Sequence, residues 1–331
     1  MIDVNAGVLG YPVEHSLSPA IHNAVYAEFG IPWKYGLLPA QTREEMEALV
    51  REAKSRALFA QSPEEAMVGF NVTMPHKQAA FEIAGRKNVS SILTGAANTL
   101  SLFEECSGGA CGIVLACDTT DGEGACRAIE HAGSEVSGSR FMVLGTGGAA
   151  TSIAVSALLR GASDVVMVSR NREHALGVAS GILSRIEDAV ARDMLGNWGF
   201  GDDRHCVSWH ACSVESMAMD YDAAAREARS FDIIVNATPL GMGEGDPSPL
   251  PASCFREGQL AMDAVYAHGL TRFRSNALGA GAKSIDGLPM LVEQAILSMA
   301  VWLQIAGYDF STFDSRIYSA LAAAGIEVPA P

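Results

Sequence analysis

The chain has 331 residues, 49% of them apolar and 18% charged, with a formal net charge of −15. That length suggests two domains with real cores, and the balance excludes a disordered chain. The acidic surplus argues against a general nucleic-acid binder or a binder of anionic membranes, although a local cationic pocket can still take an anionic ligand. No stretch is expected to reach the length of a membrane-spanning helix, and the first residues lack a basic-then-apolar signal pattern. The expected setting is therefore the soluble cytoplasm, with neither membrane nor nucleic acid as a partner.

The elements begin with a short apolar strand, Gly7–Gly10, and the turn Gly-Tyr-Pro. "HSLSP" follows at residues 15–19, where Ser18 suits an N-cap and Pro19 the first helical position. Ile21, Ala24, Val25 and Phe29 then predict a helix over Pro19–Phe29, closed by Gly30 and Pro32. Ser16 is not needed for that cap, yet its hydroxyl lies beside a positive helix end. A helix N-terminus with spare hydroxyls can hold a carboxylate or a phosphate. A strand at Trp33–Leu38, a helix at Arg43–Ser55, a strand at Met67–Val72 and a helix at His76–Ala84 continue the alternation. Such a series implies a parallel or mixed sheet covered by helices. "FEECSGGACG" at 103–112 reads as a hairpin.

From residue 140 the pattern changes. A strand at Phe141–Leu144 runs into "GTGGAA", then a helix to Leu159, then a strand at Asp164–Val168. Strands at Asp232–Asn236 and Leu260–Ala264 complete a dinucleotide-type series. Gly145, Gly147 and Gly148 let the backbone approach a pyrophosphate at the helix N-terminus, and Ala150 takes the third glycine position. At the end of the second strand stands "SRNR", residues 169–172, with no acid before Glu173. Arginine there suits a 2′-phosphate, which favours NADP over NAD. Ser184–Ala224 fits neither half and reads as an insertion, while helices over Leu291–Ala306 and Thr312–Ala324 end the chain.

The seven cysteines, at 106, 111, 117, 126, 206, 212 and 254, contain no CxxC pair and read as free thiols. His205, Cys206, His210 and Cys212 cluster but match no familiar ligand spacing, so no metal is expected.

Polar density is concentrated in three strings of the first half. "VGFNVTMPHK" delivers Asn71, Thr73, His76 and Lys77 directly after an apolar strand. "GAANTL" adds Asn98 and Thr99, and "TTDGEG" adds Asp121. Lys77 falls in a first helical turn, where the dipole disfavours a cation, so a ligand-facing role explains it better than a surface one. A lysine near a carboxylate can give a proton to a developing alkoxide.

With these strings in order, and with "GYPVEHSLSPAIHN", "GTGGAA", "VNATPLGM", "DAVYAHGLT" and "GLPMLVEQA" around them, the chain resembles the shikimate dehydrogenase family from residue 7 to about 306. The resemblance implies a two-domain α/β fold. An N-terminal substrate domain with a mixed sheet, residues 1–121 completed by 288–331, joins a Rossmann-type NADP-binding domain, residues 122–287. It implies NADP-linked interconversion of 3-dehydroshikimate and shikimate, with small-molecule partners only, by a monomer or homodimer. Ser16 and Ser18 take the substrate carboxylate in this likeness, and Lys77 with Asp121 form the catalytic pair. Asn71, Thr73, Asn98 and Gln294 contact ring hydroxyls, and Tyr266 lies near the substrate. Gly145, Gly147, Gly148 and Ala149 match the phosphate loop, and Ser169 with Arg170 the 2′-phosphate clamp. Thr238, Met242 and Gly287 line up along the nicotinamide, with Met290 at the pocket floor. The chain departs from the family at Thr119 (usually Asn), at His268 (usually Pro), at Ser169 and His174 in the clamp, and in its 184–224 insertion. Quinate or aminoshikimate dehydrogenases of the same family, or a catalytically silent nucleotide-binding sensor, are the alternatives.

Overall fold

The structure, a computed structural model, describes residues 2–62, 64–195 and 213–330. It divides into two compact units, Met1–Thr120 with Gln294–Ala330, and Asp121–Glu293.

The first unit begins with β1 (Ala6–Gly10), α1 (Ser18–Glu28), β2 (Tyr35–Pro39), α2 (Arg43–Phe59), β3 (Gly69–Val72) and α3 (Lys77–Ile83). It continues with β4 (Arg86–Lys87), α4 (Val89–Thr94), β5 (Thr99–Ser107) and β6 (Ala110–Asp118). The six strands order as β2-β1-β3-β5-β6-β4. β1 runs parallel to β2 and β3, whereas β5 is antiparallel to both β3 and β6. The sheet is mixed because the β5–β6 hairpin enters a parallel series. Leu9, Phe70, Val72, Leu100 and Cys117 turn toward Met46, Val50 and Ala53 of α2, forming one core. α2 starts on a capping box, Thr42 with Glu45, as its sequence allows.

The second unit opens with α5 (Asp121–His131), β7 (Arg140–Leu144), α6 (Gly148–Leu159), β8 (Asp164–Val168) and α7 (Arg172–Ala191). β9 (Ala218–Met219), α8 (Tyr221–Glu227), β10 (Ile233–Asn236), β11 (Leu260–Asp263), α9 (Arg272–Gly279) and β12 (Lys283–Ile285) follow. The sheet is parallel throughout, in the order β12-β11-β10-β7-β8-β9. Its inner strands β7, β8, β10 and β11 are almost wholly buried and so read as continuous apolar runs, such as "FMVL" and "VVMV". α10 (Leu288–Ile305) and α11 (Ser315–Ala323) end the chain, and the unit boundary falls inside α10.

The structure corrects four expectations. Ser18 is the first helical residue of α1 and not its cap, which is Leu17. Ser16, set aside as unnecessary, does the local work: its Oγ accepts the Ser18 N–H at 3.3 Å. α10 is long and apolar enough to cross a membrane by composition, against the expectation that no stretch is; 67% of it is buried within the fold, as a core helix is. Residues 184–191, assigned to an insertion, continue α7, whose Ile186 and Ala189 are buried. Cys106 and Cys111, expected as free thiols, form a disulfide, because the hairpin register sets them opposite one another. Cys117, Cys126 and Cys254 are free and buried. The cluster of His205, Cys206, His210 and Cys212 lies outside the described residues.

α5 and α6 pack closely at one end. A Cβ on Gly122 would overlap the Ser152 carbonyl oxygen, so only glycine admits this approach. The Gly122 N–H donates to Ser152 Oγ at 2.9 Å. One residue on, the buried Glu123 carboxylate accepts from Arg127 at 3.2 Å and from Arg160, at the end of α6, at 2.9 and 3.0 Å. Burial pushes the Glu123 carboxyl up, and the two guanidinium groups oppose that shift. Two cations around one buried carboxylate hold α5 against α6, and losing the carboxylate would take a shared partner from both guanidinium groups.

Candidate functional site

In the first unit the polar strings converge through backbone pairing before any side chain is considered. Val72 N–H donates to the Asn98 carbonyl at 2.6 Å, and Ala97 N–H to the Lys77 carbonyl at 2.9 Å. "GAANTL" is thereby laid beside "VGFNVTMPHK". Thr73 N–H donates to the Leu9 carbonyl at 2.9 Å, placing the end of β3 beside the end of β1.

The side chains then close a web. Asn71 Nδ2 donates to Ser298 Oγ at 2.8 Å, and its Oδ1 accepts from the Tyr35 hydroxyl at 2.8 Å. Asn98 Nδ2 donates to Thr120 Oγ1 at 2.9 Å and to Gln294 Oε1 at 3.2 Å. Asn98 Oδ1 accepts from the Thr120 N–H at 2.8 Å and from Thr99 Oγ1 at 3.0 Å. Asn71, Asn98, Thr99, Thr120, Gln294 and Ser298 are all buried. Buried amides are costly unless bonded, and here they bond chiefly to one another.

Ser16 and Ser18 meet at 3.1 Å between their hydroxyl oxygens, at the start of α1. One turn later on the same face, His22 stacks on Tyr35 with ring centroids 3.9 Å apart, and Tyr35 holds Asn71. The helix face bearing Ser18 is thus tied to the amide web. Burial pushes His22 down to about 3, against a smaller opposing effect of Asn71, so the ring is neutral at physiological pH. Lys77, half-buried, is the first residue of α3, a helix with no acid in its first turn. Thr73 is half-buried in the turn before it.

In the second unit Asp121 is buried at the start of α5. The other predicted residues gather at the carboxyl edge of the sheet. β7 lies between β8 and β10, the switch point at which such sheets take ligands. Gly145, with φ +117°, follows β7, and its N–H donates to the Val168 carbonyl at the end of β8 at 2.8 Å. A Cβ there would stand 3.4 Å from Thr238, which brings the loop against the turn after β10. Gly147 caps α6 with no side-chain acceptor, and the space where its Cβ would stand is open. An uncapped helix start with open space over it fits a dinucleotide pyrophosphate. Ser169 and the exposed Arg170 follow β8 directly, a hydroxyl and a guanidinium that can both donate to an anion. Gly287 N–H donates to the Val265 carbonyl at 3.1 Å, next to Tyr266. Met242 is exposed in the turn after β10, and Met290 is buried in α10.

Sequence reading missed Tyr35, His22, Thr120 and Ser298, which complete the web. It also missed Asn236 and Asp263: Asn236 Oδ1 accepts from Thr238 Oγ1 at 2.6 Å, and its Nδ2 donates to Asp263 at 2.9 Å. The signal was present as Asn and Asp at the ends of apolar strands, "IIVN" and "LAMD".

Residues 8–100 match the shikimate dehydrogenase substrate binding domain family. The chain is 35% identical over 297 residues to the shikimate dehydrogenase (NADP+) of Rubrobacter xylanophilus, covering 89% of each chain. Among solved structures it resembles shikimate 5-dehydrogenase from Thermus thermophilus in complex with NADP(H) and shikimate. That likeness has 27% identity and a TM-score of 0.70, with 97% of this chain and 99% of that one covered. It also resembles a shikimate dehydrogenase in complex with NADP+, at 25% identity and a TM-score of 0.74, over 97% of this chain and 95% of that one.

Proposed function

We infer the working of the site from one premise: the chain belongs to the shikimate dehydrogenase family. It is an NADP-dependent oxidoreductase of the shikimate pathway, interconverting 3-dehydroshikimate and shikimate. NADP, when bound, supplies the hydride chemistry. The chain's own residues bind, orient and move the proton.

Ser16 and Ser18 hold the substrate carboxylate, because two hydroxyls at a helix N-terminus meet an anion with donors and a favourable dipole. Asn71, Thr73, Asn98 and Gln294 hold ring hydroxyls, which need a donor and an acceptor together, as an amide offers. Tyr266 adds a phenol near the ring. Lys77 gives its proton to the carbonyl oxygen as the alkoxide develops, and takes it back in the reverse direction. Asp121 is the carboxylate that orients that ammonium. Gly145, Gly147, Gly148 and Ala149 hold the pyrophosphate, and Ser169 with Arg170 hold the 2′-phosphate. Thr238, Met242 and Gly287 border the nicotinamide, with Met290 behind it. The first unit is then the substrate domain and the second the cofactor domain. The partners on this reading are small molecules alone, and the enzyme works in the cytoplasm as a monomer or homodimer.

One observation carries the reading: Asn98 and Gln294, 196 residues apart, meet at 3.2 Å in a buried web with Asn71 nearby. Core packing gives no reason to bury three amides together. A turnover panel of shikimate and quinate against NADP+ and NAD+ tests it. Shikimate with NADP+ should show kcat/KM at least about tenfold above quinate, ~1.4 kcal/mol. Equal or better use of quinate would overturn the substrate assignment.

A further inference from the structure

The tip of the β5–β6 hairpin lies at the opposite end of β5 from Thr99 and the amide web, and gathers donor atoms of its own. Its loop is two glycines, Gly108 (φ +61°) and Gly109 (φ +85°), the left-handed pair that a tight type I′ hairpin turn needs. That turn sets the register: Ser107 pairs with Ala110, Cys106 with Cys111, and Glu104 with Ile113. The second pair from a two-residue turn is the close, non-hydrogen-bonded kind, and Cys106 and Cys111 have Cα atoms 4.1 Å apart. Alternation then puts Glu104 on the same face as Cys106. The two sulfurs and the Glu104 carboxylate lie within 4.8 Å of one another, and all three residues are exposed. Among the described residues this is the one group of three such donors gathered so closely.

We propose that the reduced hairpin tip is a binding site for a divalent cation of the zinc class, which the Cys106–Cys111 disulfide closes. With the disulfide formed, neither sulfur is a thiolate. Reduction by a small dithiol breaks the S–S bond and delivers two electrons and two protons, giving two thiols, while the dithiol becomes its own disulfide. Rotation about χ1 then lets the sulfurs part to the roughly 3.8 Å that two Zn–S bonds of about 2.3 Å require at a tetrahedral centre. Each thiol loses its proton as the cation binds. Glu104 supplies a third donor, and solvent reaches the fourth position because the tip is exposed. Two thiolates select a borderline cation such as Zn2+ or Co2+ over Mg2+ or Ca2+.

The test uses the full chain, reduced with dithiothreitol and freed of it, and titrated with Co2+. One equivalent should produce a thiolate-to-cobalt charge-transfer absorption that Zn2+ abolishes by displacement. The oxidised protein and the Cys106→Ser/Cys111→Ser double variant should show none. Glu104→Gln should weaken cobalt binding at least about tenfold, the lower end of what even an outer-shell partner costs. The Cys206→Ser/Cys212→Ser variant should keep the band. Absence of the band in the reduced wild type, its survival in the Cys106→Ser/Cys111→Ser variant, or its loss with Cys206 and Cys212 would each overturn the proposal. Shikimate turnover should be the same in all these variants, so a failure here is distinct from a failure of the functional reading.

Discussion

The two units hold their functional groups by opposite means. In the first, side chains do it: Asn71, Asn98, Gln294 and Ser298 are bonded to one another across more than half the chain. In the second, backbone does it: Gly145 and Gly147 bring amides to a helix start that no side chain caps. On the proposed reading, the difference lies in what each unit recognises. A ring with several hydroxyls is distinguished by donors and acceptors in a fixed pattern, which amides held rigid by one another supply. A pyrophosphate needs close approach and a dipole, which a side chain would obstruct. Substitutions should therefore hurt the first unit by removing a functional group and the second by adding volume.

The largest test of that contrast removes an ammonium. Lys77→Met should lower kcat about 10²- to 10⁴-fold, the range for general acid–base catalysis, with a smaller change in KM. Asp121→Asn should also lose rate. If the two act as a unit, the double variant should lose little beyond the worse single one. An unchanged kcat in Lys77→Met would remove the lysine from the chemistry.

Adding a single methyl tests the second unit. Gly122→Ala forces a Cβ against the Ser152 carbonyl, a backbone atom that cannot turn away. Overpacking of this kind costs up to about 3 kcal/mol, read from the midpoint of urea unfolding. A variant as stable as the wild type would show that α5 and α6 can part without loss.

Arg170 sharpens the comparison, because on the proposed reading the second unit there meets its ligand with a charged side chain. Arg170→Ala should weaken NADP+ binding by about 2 kcal/mol and leave NAD+ nearly unchanged. Calorimetric titration of both cofactors decides, and equal losses would assign the arginine to the adenine or to the fold.

The smallest effect concerns the support of the amide web. His22 is held neutral with its pKa near 3, below the ordinary 6.5 it has when unfolded. Its contribution to stability is complete above about pH 6.5 and is lost as the pH falls toward 3, since the unfolded chain binds the proton that the fold refuses. The slope from this one group is at most about 1.4 kcal/mol per pH unit. His22→Phe keeps a ring against Tyr35 without a proton to bind, so between pH 6.5 and 4.5 its stability should fall less steeply than that of the wild type. Parallel curves would mean that His22 is protonated within the fold.

Much of this architecture is written locally. The glycine loop announces itself because strand, glycines and helix are consecutive, and only glycine takes φ +117° at Gly145 without strain. The strands "FMVL" and "DVVMV" are legible for the same reason, as is the hairpin at 103–112. The capping of α1 was misread because Ser16 and Ser18 are both competent acceptors, and which one bonds depends on where the helix turns.

Local pattern and motif order, then, determined the α/β class, the glycine loop after β7, and the positions of Lys77 and of Ser16 and Ser18 at helix starts. Tertiary structure alone decided that Tyr35 and Ser298 share Asn71, and that Glu123, beside Arg127 on its own helix, also gathers Arg160. Each of these depends on a register or a helix crossing. Composition does not carry that information, because a hydrogen bond or a disulfide forms only between atoms that the completed fold has brought within reach.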